Sequence, residues 1–371
     1  MDLKQHQAYM LHAIELAKKG IFYTKPNPNV GCVLVSQEHK IIAEAWHEFF
    51  GSYHAEVQAI KKAQKSNKET QGCTAYVTLE PCSHFGKTGP CADALILAGV
   101  TTVYIAVEDP NPLVKGQGVK KLRQANIDVH VGLCKKEAFA VNVGFFKRYQ
   151  YEVPYVRIKI AASLDGKIAM ASGESKWITG DVSRSDVQIL RSMSGAIITG
   201  IGTVLADDPS LNARPNSDSK YDLSQPLRVI IDKNLLLPLE SKIIGKDGLC
   251  YIMTKSHDEI KMKALEQAGA KIVKIPVEFK AKEILEYTLT YLAKKNVNDV
   301  LVESGPKLVS SFINYKLFDE LIVYTAPCLM GDSAISMTNI KLEKITDKIK
   351  FKLHSVKKLS NDIKSIYTIE H

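Results

Sequence analysis

The sequence predicts two α/β domains in series, and three observations carry that expectation. At 371 residues the chain exceeds the ~100–200 usual for one domain. Strand-like and helix-like segments alternate along it with short links, the pattern of a sheet covered by helices. The alternation also breaks and restarts near Tyr149 to Pro154, which places the domains at residues 1–148 and 149–371. A hydrophobic content of 45% with 24% charged residues is that of a folded globular chain, which excludes disorder, collagen or coiled coil for the whole. No run approaches the ~18 apolar residues of a membrane span, and Met1 to His6 opens no apolar signal core, so the expected location is the cytoplasm.

Leu3, Met10, Ile14 and Ala17 fall at helical spacing and predict an amphipathic helix over 3–19. Pro26-Asn27-Pro28-Asn29 must be a loop, because neither a helix interior nor a central strand admits two prolines. Gly31–Val35 and Lys40–Ala43 read as strands, 55–64 as a helix and Ala75–Leu79 as a buried strand. A helix over 91–98 ends on Gly99, a glycine suited to the left-handed C′ position. Strand 100–107, helix 118–124 and strand 127–131 complete the first domain. In the second, strands are expected at 155–162, 196–199, 227–232, 250–254, 271–275, 299–303 and 320–326, with helices at 184–192, 258–268, 282–294 and 306–314. The Lys-rich stretch beyond Ile340 carries no motif, and no internal repeat is visible.

The net charge of +9 invites a nucleic-acid reading, but the surplus is shared nearly evenly between the domains and forms no basic arm. A spread surplus suits small anionic substrates better than a nucleic-acid footprint. Seven cysteines is an odd number, which disfavours a disulfide framework and favours metal or catalytic use.

The strongest chemical signal is His54-Ala55-Glu56 followed by Pro81-Cys82 and Cys91. One His and two Cys supply nitrogen and sulfur ligands for zinc and leave a fourth position for water. Glu56, two residues from the His, could reach that water without ligating the metal and move protons, which is the logic of zinc deaminases. Taken singly, His-x-Glu fits any solvated helix and two cysteines fit a core. His84 as a fourth ligand would close the site. Gly86-Lys87-Thr88 is no P-loop, because the first glycine of that motif would have to be Pro81. Eight residues separate the two cysteines, where generic zinc deaminases have two. The insertion, with His84, Lys87 and Thr88, could hold a substrate phosphate.

Thr24-Lys25-Pro26-Asn27-Pro28-Asn29-Val30-Gly31, His54-Ala55-Glu56, Leu79-Glu80-Pro81-Cys82-Ser83-His84, Gly86 to Cys91 and Asp109-Pro110-Asn111-Pro112 together resemble the bacterial bifunctional riboflavin-biosynthesis deaminase/reductase family. The resemblance implies a cytidine-deaminase-like three-layer α/β/α first domain. It implies Zn2+ on His54, Cys82 and Cys91, proton transfer by Glu56, Asn27 and His47 at the pyrimidine or ribose, and His84 and Lys87 at the phosphate. Asn27 reads equally as a turn residue and His47 as a strand-end surface histidine.

In the second domain, Gly200-Ile201-Gly202 and Glu303-Ser304-Gly305-Pro306 each follow a strand and open a helix, the setting in which backbone N–H groups take phosphates. Lys159 to Lys167, Ser172 to Thr179, Gly202 to Pro209 and Leu301 to Pro306 resemble the reductase domain of the same family. That implies a dihydrofolate-reductase-like fold with a mostly parallel sheet. Ala161, Trp177, Thr203, Asp207, Gly305, Pro306, Lys307, Leu308, Val309, Ser310 and Ser311 would line an NADPH site. Ser175, Arg191, Leu211, Arg214 and Glu303 would face the substrate, with Arg191 and Arg214 able to clamp its phosphate in a bidentate fashion. Lys159 and Glu303 would handle protons or position groups as the sugar ring opens. A surface charge for Arg191, a core place for Trp177 and a cap for Asp207 are the plain alternatives.

The function these readings imply is zinc-dependent deamination of a small phosphorylated pyrimidine, then its NADPH-dependent reduction. The expected partners are that substrate and further copies of the chain as a homodimer or larger, with neither nucleic acid nor membrane. Two rivals remain at this level. A nucleoside or RNA base deaminase with an accessory nucleotide-binding domain would want a basic groove. A zinc-stabilised binding module would want a closed, four-ligand metal site.

Overall fold

The computed structural model describes residues 1–83, 89–112, 114–214, 223–245 and 247–369. The chain divides into two compact units, one built on Met1–Tyr151 and the other beginning at Glu152. Among the described residues no helix is long and apolar enough to cross a membrane.

The first unit runs α1 (Leu3–Lys18), β1 (Gly31–Val35), β2 (Ile41–Trp46), α2 (Ala55–Lys65), β3 (Thr74–Val77), α3 (Cys91–Leu97), β4 (Thr102–Ile105), α4 (Gln117–Gln124), β5 (Asp128–Val131), α5 (Lys135–Val141) and α6 (Val143–Tyr151). Its five strands lie in the order β2-β1-β3-β4-β5, antiparallel across β2, β1 and β3 and parallel from β3 onward. Apolar clusters on both faces make three layers: Cys32, Leu34, Val77, Ala59 and Leu95 on one side, Val33, Val35, Tyr76, Met10 and Phe146 on the other. β1 is buried along its whole length because both of its faces are covered. Gly31 is required where it stands, since a Cβ would lie 1.9 Å from the Ala13 carbonyl oxygen of α1. Gly99 takes the left-handed conformation after α3 expected of a C′ glycine. The sequence reading left 132–148 unassigned and placed the break near Tyr149; α5 and α6 fill the stretch, burying Ala138, Phe145 and Phe146, and α6 continues to Tyr151.

The second unit runs β6 (Tyr155–Ser163), β7 (Lys167–Ala169), α7 (Asp181–Met193), β8 (Ala196–Gly200), α8 (Ile201–Asp207), β9 (Leu227–Ile231), β10 (Cys250–Thr254), α9 (Glu259–Gln267), β11 (Ala270–Lys274), α10 (Ala281–Lys294), β12 (Asp299–Val302), α11 (Pro306–Asn314), β13 (Glu320–Ala326), β14 (Ile335–Ser336), β15 (Phe351–Leu359) and β16 (Asp362–Ile369). Nine strands form one sheet in the order β11-β10-β9-β8-β12-β6-β13-β16-β15. Strands β11 to β13 are parallel in that order, and β16 and β15 add an antiparallel hairpin. β6 alternates strictly, sending Val156, Ile158 and Ile160 into one core and Arg157, Lys159 and Ala161 to the opposite face. Arg157 is neutralised by Asp299 at 2.7 Å and Glu320 at 2.9 Å.

The stretch beyond Ile340, which carried no motif, folds as the β15–β16 hairpin. It also anchors α7. Asp362 Oδ2 accepts from the Gly180 N–H at 2.8 Å and the Ser183 hydroxyl at 2.6 Å, capping a helix that has no capping side chain of its own. Lys364 and the Tyr324 hydroxyl both donate to Asp186 on that helix.

Candidate active sites

In the first unit, the starts of two helices deliver the expected metal ligands. His54 is the N-cap of α2 and Cys91 the first residue of α3, while Cys82 comes from the loop after β3. Their donor atoms lie within 4.8 Å of one another, the one such group among the described residues. His54 Nδ1 is 3.2 Å from Cys91 Sγ and 3.7 Å from Cys82 Sγ, and the Cys91 N–H donates to Cys82 Sγ at 3.3 Å. Hydrogen bonding from the Cys91 thiol lowers the Cys82 thiol, and the same bond raises Cys91, so the pair favours losing its first proton at Cys82. The nitrogen–sulfur–sulfur set, with a thiolate already favoured, fits zinc.

Glu56 sits at the second position of α2, is 3% exposed and lines the same cavity as His54 and Cys82. Burial raises its carboxyl to about 7, against the opposing pull of His54. The cavity, of about 280 Å³, is also lined by Asn27, His47, Asp109, Asn111, Phe145 and Tyr149. Burial drives His47 down to about 4, so it is neutral. Its Nδ1 faces the Tyr53 carbonyl at 3.2 Å, which can only accept, so Nδ1 carries the proton. Nε2 therefore accepts from the Asn27 amide at 3.1 Å. The loop bearing Asn27 is fixed by Asn29, whose N–H donates to Asn142 Oδ1 at 2.8 Å. The surface-histidine alternative for His47 is thereby excluded. His84 and Lys87 lie outside the described residues.

Sequence reasoning named the Asp109-Pro110-Asn111-Pro112 motif without giving its residues a role; both polar members face the cavity. Glu80, quoted only as part of the Leu79 to His84 motif, was likewise given no role. That buried carboxylate accepts four backbone N–H groups from the 109–119 segment. The available signal was a Glu two residues before a ligand, together with a helix that starts after Gly116 and has no capping side chain.

In the second unit, β8 and β12 are neighbours, so their strand-to-helix turns meet. Ser304 Oγ accepts from the Gly200 N–H at 3.1 Å and lies 3.2 Å from Thr203 Oγ1, which accepts from the Gly305 N–H at 3.0 Å. Gly305 is the N-cap of α11 and Pro306 its first residue, which leaves the first-turn N–H groups of Lys307 and Leu308 without an acidic neighbour in that turn. The helix period separates the remaining expected residues. Val309 and Ser310 turn into the interior, Ser310 Oγ accepting from the Asn339 N–H at 2.7 Å, while Ser311 bonds back to the Lys307 carbonyl. Trp177 is 70% exposed with Arg184 over its ring, which excludes the core alternative. Ser175 donates to Asp207 at 2.9 Å, joining one residue expected at the substrate to one expected at the cofactor. Ala161 is half-buried on β6. Leu211 packs its side chain into the core, leaving only its backbone for a ligand, and Arg214 is exposed.

Arg191, expected at the substrate phosphate, is paired with Glu303, itself expected at the substrate. Its Nε and Nη2 donate to the two oxygens of Glu303 at 2.6 and 3.0 Å, and Nη1 donates to the Asn212 carbonyl at 3.3 Å. Lys159 Nζ stands 3.8 Å from the same carboxylate. Burial alone would raise the Glu303 carboxyl, but Arg191 and then Lys159 outweigh it and hold it below its ordinary range. An ionised carboxylate of that kind positions its partners and does not donate a proton. Burial lowers Lys159, with Glu303 opposing.

Residues 3–107 match the family described as the cytidine and deoxycytidylate deaminase zinc-binding region, and residues 154–365 match the RibD C-terminal domain. The chain is 42% identical to the riboflavin biosynthesis protein RibD of Escherichia coli (strain K12), over 97% of this chain and 98% of that one. It is 40% identical to RibD of Aquifex aeolicus, over 96% of each. The structure is similar to form 1 of Acinetobacter baumannii RibD, with a TM-score of 0.91 and 44% identity over the whole of both chains. It is also similar to the diaminohydroxyphosphoribosylaminopyrimidine deaminase/5-amino-6-(5-phosphoribosylamino)uracil reductase of Thermotoga maritima, with a TM-score of 0.86 and 32% identity over 99% of each. The chain therefore belongs to the RibD family, whose members are bifunctional deaminase–reductases of riboflavin biosynthesis.

Proposed function

We propose that this chain carries out two consecutive steps on one phosphorylated pyrimidine. The first is zinc-dependent hydrolytic deamination of 2,5-diamino-6-ribosylamino-4(3H)-pyrimidinone 5′-phosphate. The second is NADPH-dependent reduction of the ribosyl side chain to ribityl, giving 5-amino-6-ribitylamino-uracil 5′-phosphate. The observation that carries this reading is the convergence of His54, Cys82 and Cys91 beside buried Glu56 on one cavity.

In the deamination, water adds to the amino-bearing ring carbon, ammonia leaves and a carbonyl remains. His54, Cys82 and Cys91 would hold the zinc, which would supply Lewis-acid polarisation for the hydrolysis. Glu56 takes the proton from water and returns it to the departing amine; a carboxyl raised to about 7 suits both transfers near neutral pH. Neutral His47 orients the Asn27 amide toward the pyrimidine or ribose. His84 and Lys87 serve the phosphate.

In the reduction, a bound NADPH would supply the hydride that the ring-opened imine at the sugar C1′ requires. The joined turns at Thr203 and Gly305 and the first turn of α11 would hold the cofactor phosphates, and Ala161, Trp177 and Asp207 would contribute to the same cofactor site. Ser175, Arg214 and the Leu211 backbone face the substrate. Lys159, its proton loosened by burial, hands a proton to the opening ring while ionised Glu303 holds Lys159 and Arg191 in place. The exposed edge strand β15, with Leu353 and Val356, supports a homodimer or larger assembly.

The test is to purify the protein, measure bound zinc, and supply the diaminopyrimidine ribosyl phosphate with and without NADPH. Ammonia should appear in both cases, with NADPH oxidised only after it. A zinc-loaded protein that releases none overturns the reading.

A further inference from the structure

Glu80 stands between β3 and the ligand Cys82 and is 3% exposed. Its Oε2 accepts from the N–H groups of Asp109 at 3.2 Å and Gly116 at 3.0 Å, and its Oε1 from Gly118 at 2.9 Å and Val119 at 3.2 Å. All four donors belong to the single segment that enters α4. That helix begins after Gly116, which is left-handed and has no side chain to cap the first turn, so Glu80 fills two of its orphan donors from another part of the chain. The contact is also sterically closed, since a Cβ at Gly118 would lie 2.0 Å from the Pro81 carbonyl oxygen. The same segment presents Asp109, Asn111 and Val114 to the cavity that holds His54 and Glu56. Asp109 in turn accepts from the Asn111 N–H at 2.8 Å, which ties the wall together.

We infer that Glu80 is a positioning residue for deamination: its carboxylate fixes the wall formed by Asp109, Asn111 and Val114 relative to the loop that supplies Cys82, and so sets the width of the substrate cavity. The inference rests on the deaminase reading above. A residue that merely held the fold together would lower stability and zinc content along with activity. A residue that positions this wall raises KM while zinc stays bound.

The experiment compares the full-length wild type with Glu80→Gln, Glu80→Asp, Asn111→Ala and the Glu80→Gln/Asn111→Ala pair, using the diaminopyrimidine ribosyl phosphate. Glu80→Gln turns one acceptor into an amide group that faces N–H donors. Its KM should rise about tenfold or more with a smaller fall in kcat. Zinc per chain and NADPH-dependent reduction of supplied deaminated substrate should match wild type. Glu80→Asp, which keeps the charge at a shorter reach, should fall between Glu80→Gln and wild type. The double variant should cost little more than the worse single, because both changes act on one wall. A wild-type KM in Glu80→Gln, zinc loss in step with activity in both Glu80 variants, or additive effects in the pair would each overturn the inference. Absence of ammonia release by the zinc-loaded wild type would instead defeat the deaminase reading itself.

Discussion

The two sites treat buried charge in opposite ways. In the first unit, His54, Cys82 and Cys91 all offer electron pairs to one point and buried Glu56 lies beside them, so the site is arranged for a cation the chain does not supply. In the second, Glu303 pairs with both Lys159 and Arg191, so each charge has a partner before any ligand arrives, although two cations against one carboxylate leave the row with one net positive charge. Donor convergence of the first kind has few uses other than metal binding, so residue type speaks for function. Self-paired charge of the second kind has several uses, and residue type alone overstates how much of it is free for a ligand.

The sharpest challenge to this contrast is Glu56→Gln. Removing the proposed proton carrier should lower ammonia release by roughly 10²–10⁴-fold while zinc content, measured by metal analysis, stays at wild type. Equal loss of zinc would mean that the first site also relies on Glu56 to balance its ligands.

Glu303→Gln attacks the second site. It leaves two buried cations without their carboxylate and should cost the second unit about 3–5 kcal/mol in urea unfolding, with reduction impaired and deamination unchanged. A neutral result would show that the carboxylate does not hold the two cations in place.

A pH series sharpens the same point. Arg191 and Lys159 depress the Glu303 carboxyl below its ordinary 4.5, so its contribution is present above that value and is lost as pH falls below it through the folded-state pKa. The wild-type second unit should lose stability across that acid window, and Glu303→Gln should lose less there.

Smaller effects belong to the scaffold of the second site. Asp362→Ala removes the cap of α7 and should lower stability by about 1 kcal/mol in the same unfolding assay. Thr203→Val breaks one link between the two turns and should raise the KM for NADPH a few-fold, with no effect on ammonia release.

The helix-covered sheets, the loop at 26–29 and the three candidate metal ligands were legible because each rests on short-range rules: period, proline geometry and residue type. Glu80 was not legible, because its meaning lies in four backbone donors 29 to 39 positions downstream, and backbone donors have no letter in a sequence. Arg191 was legible as a charge but not as a pair, since its partner is set by the adjacency of α7 and β12. The residues expected along 305–311 were read as one stretch, whereas a helix shows only part of each turn to any one neighbour.

The hairpin β15–β16 also bears on the order in which the two activities come into being. α7, which carries Arg191, is held at Asp186 by Lys364 and capped by Asp362, and β13 has β16 as its outer neighbour. These are the last elements of their unit to leave the ribosome, long after every strand and helix of the first unit. A nascent or prematurely terminated chain would thus hold a folded deaminase beside an unfinished reductase, releasing the deaminated intermediate with nothing on the same polypeptide to consume it.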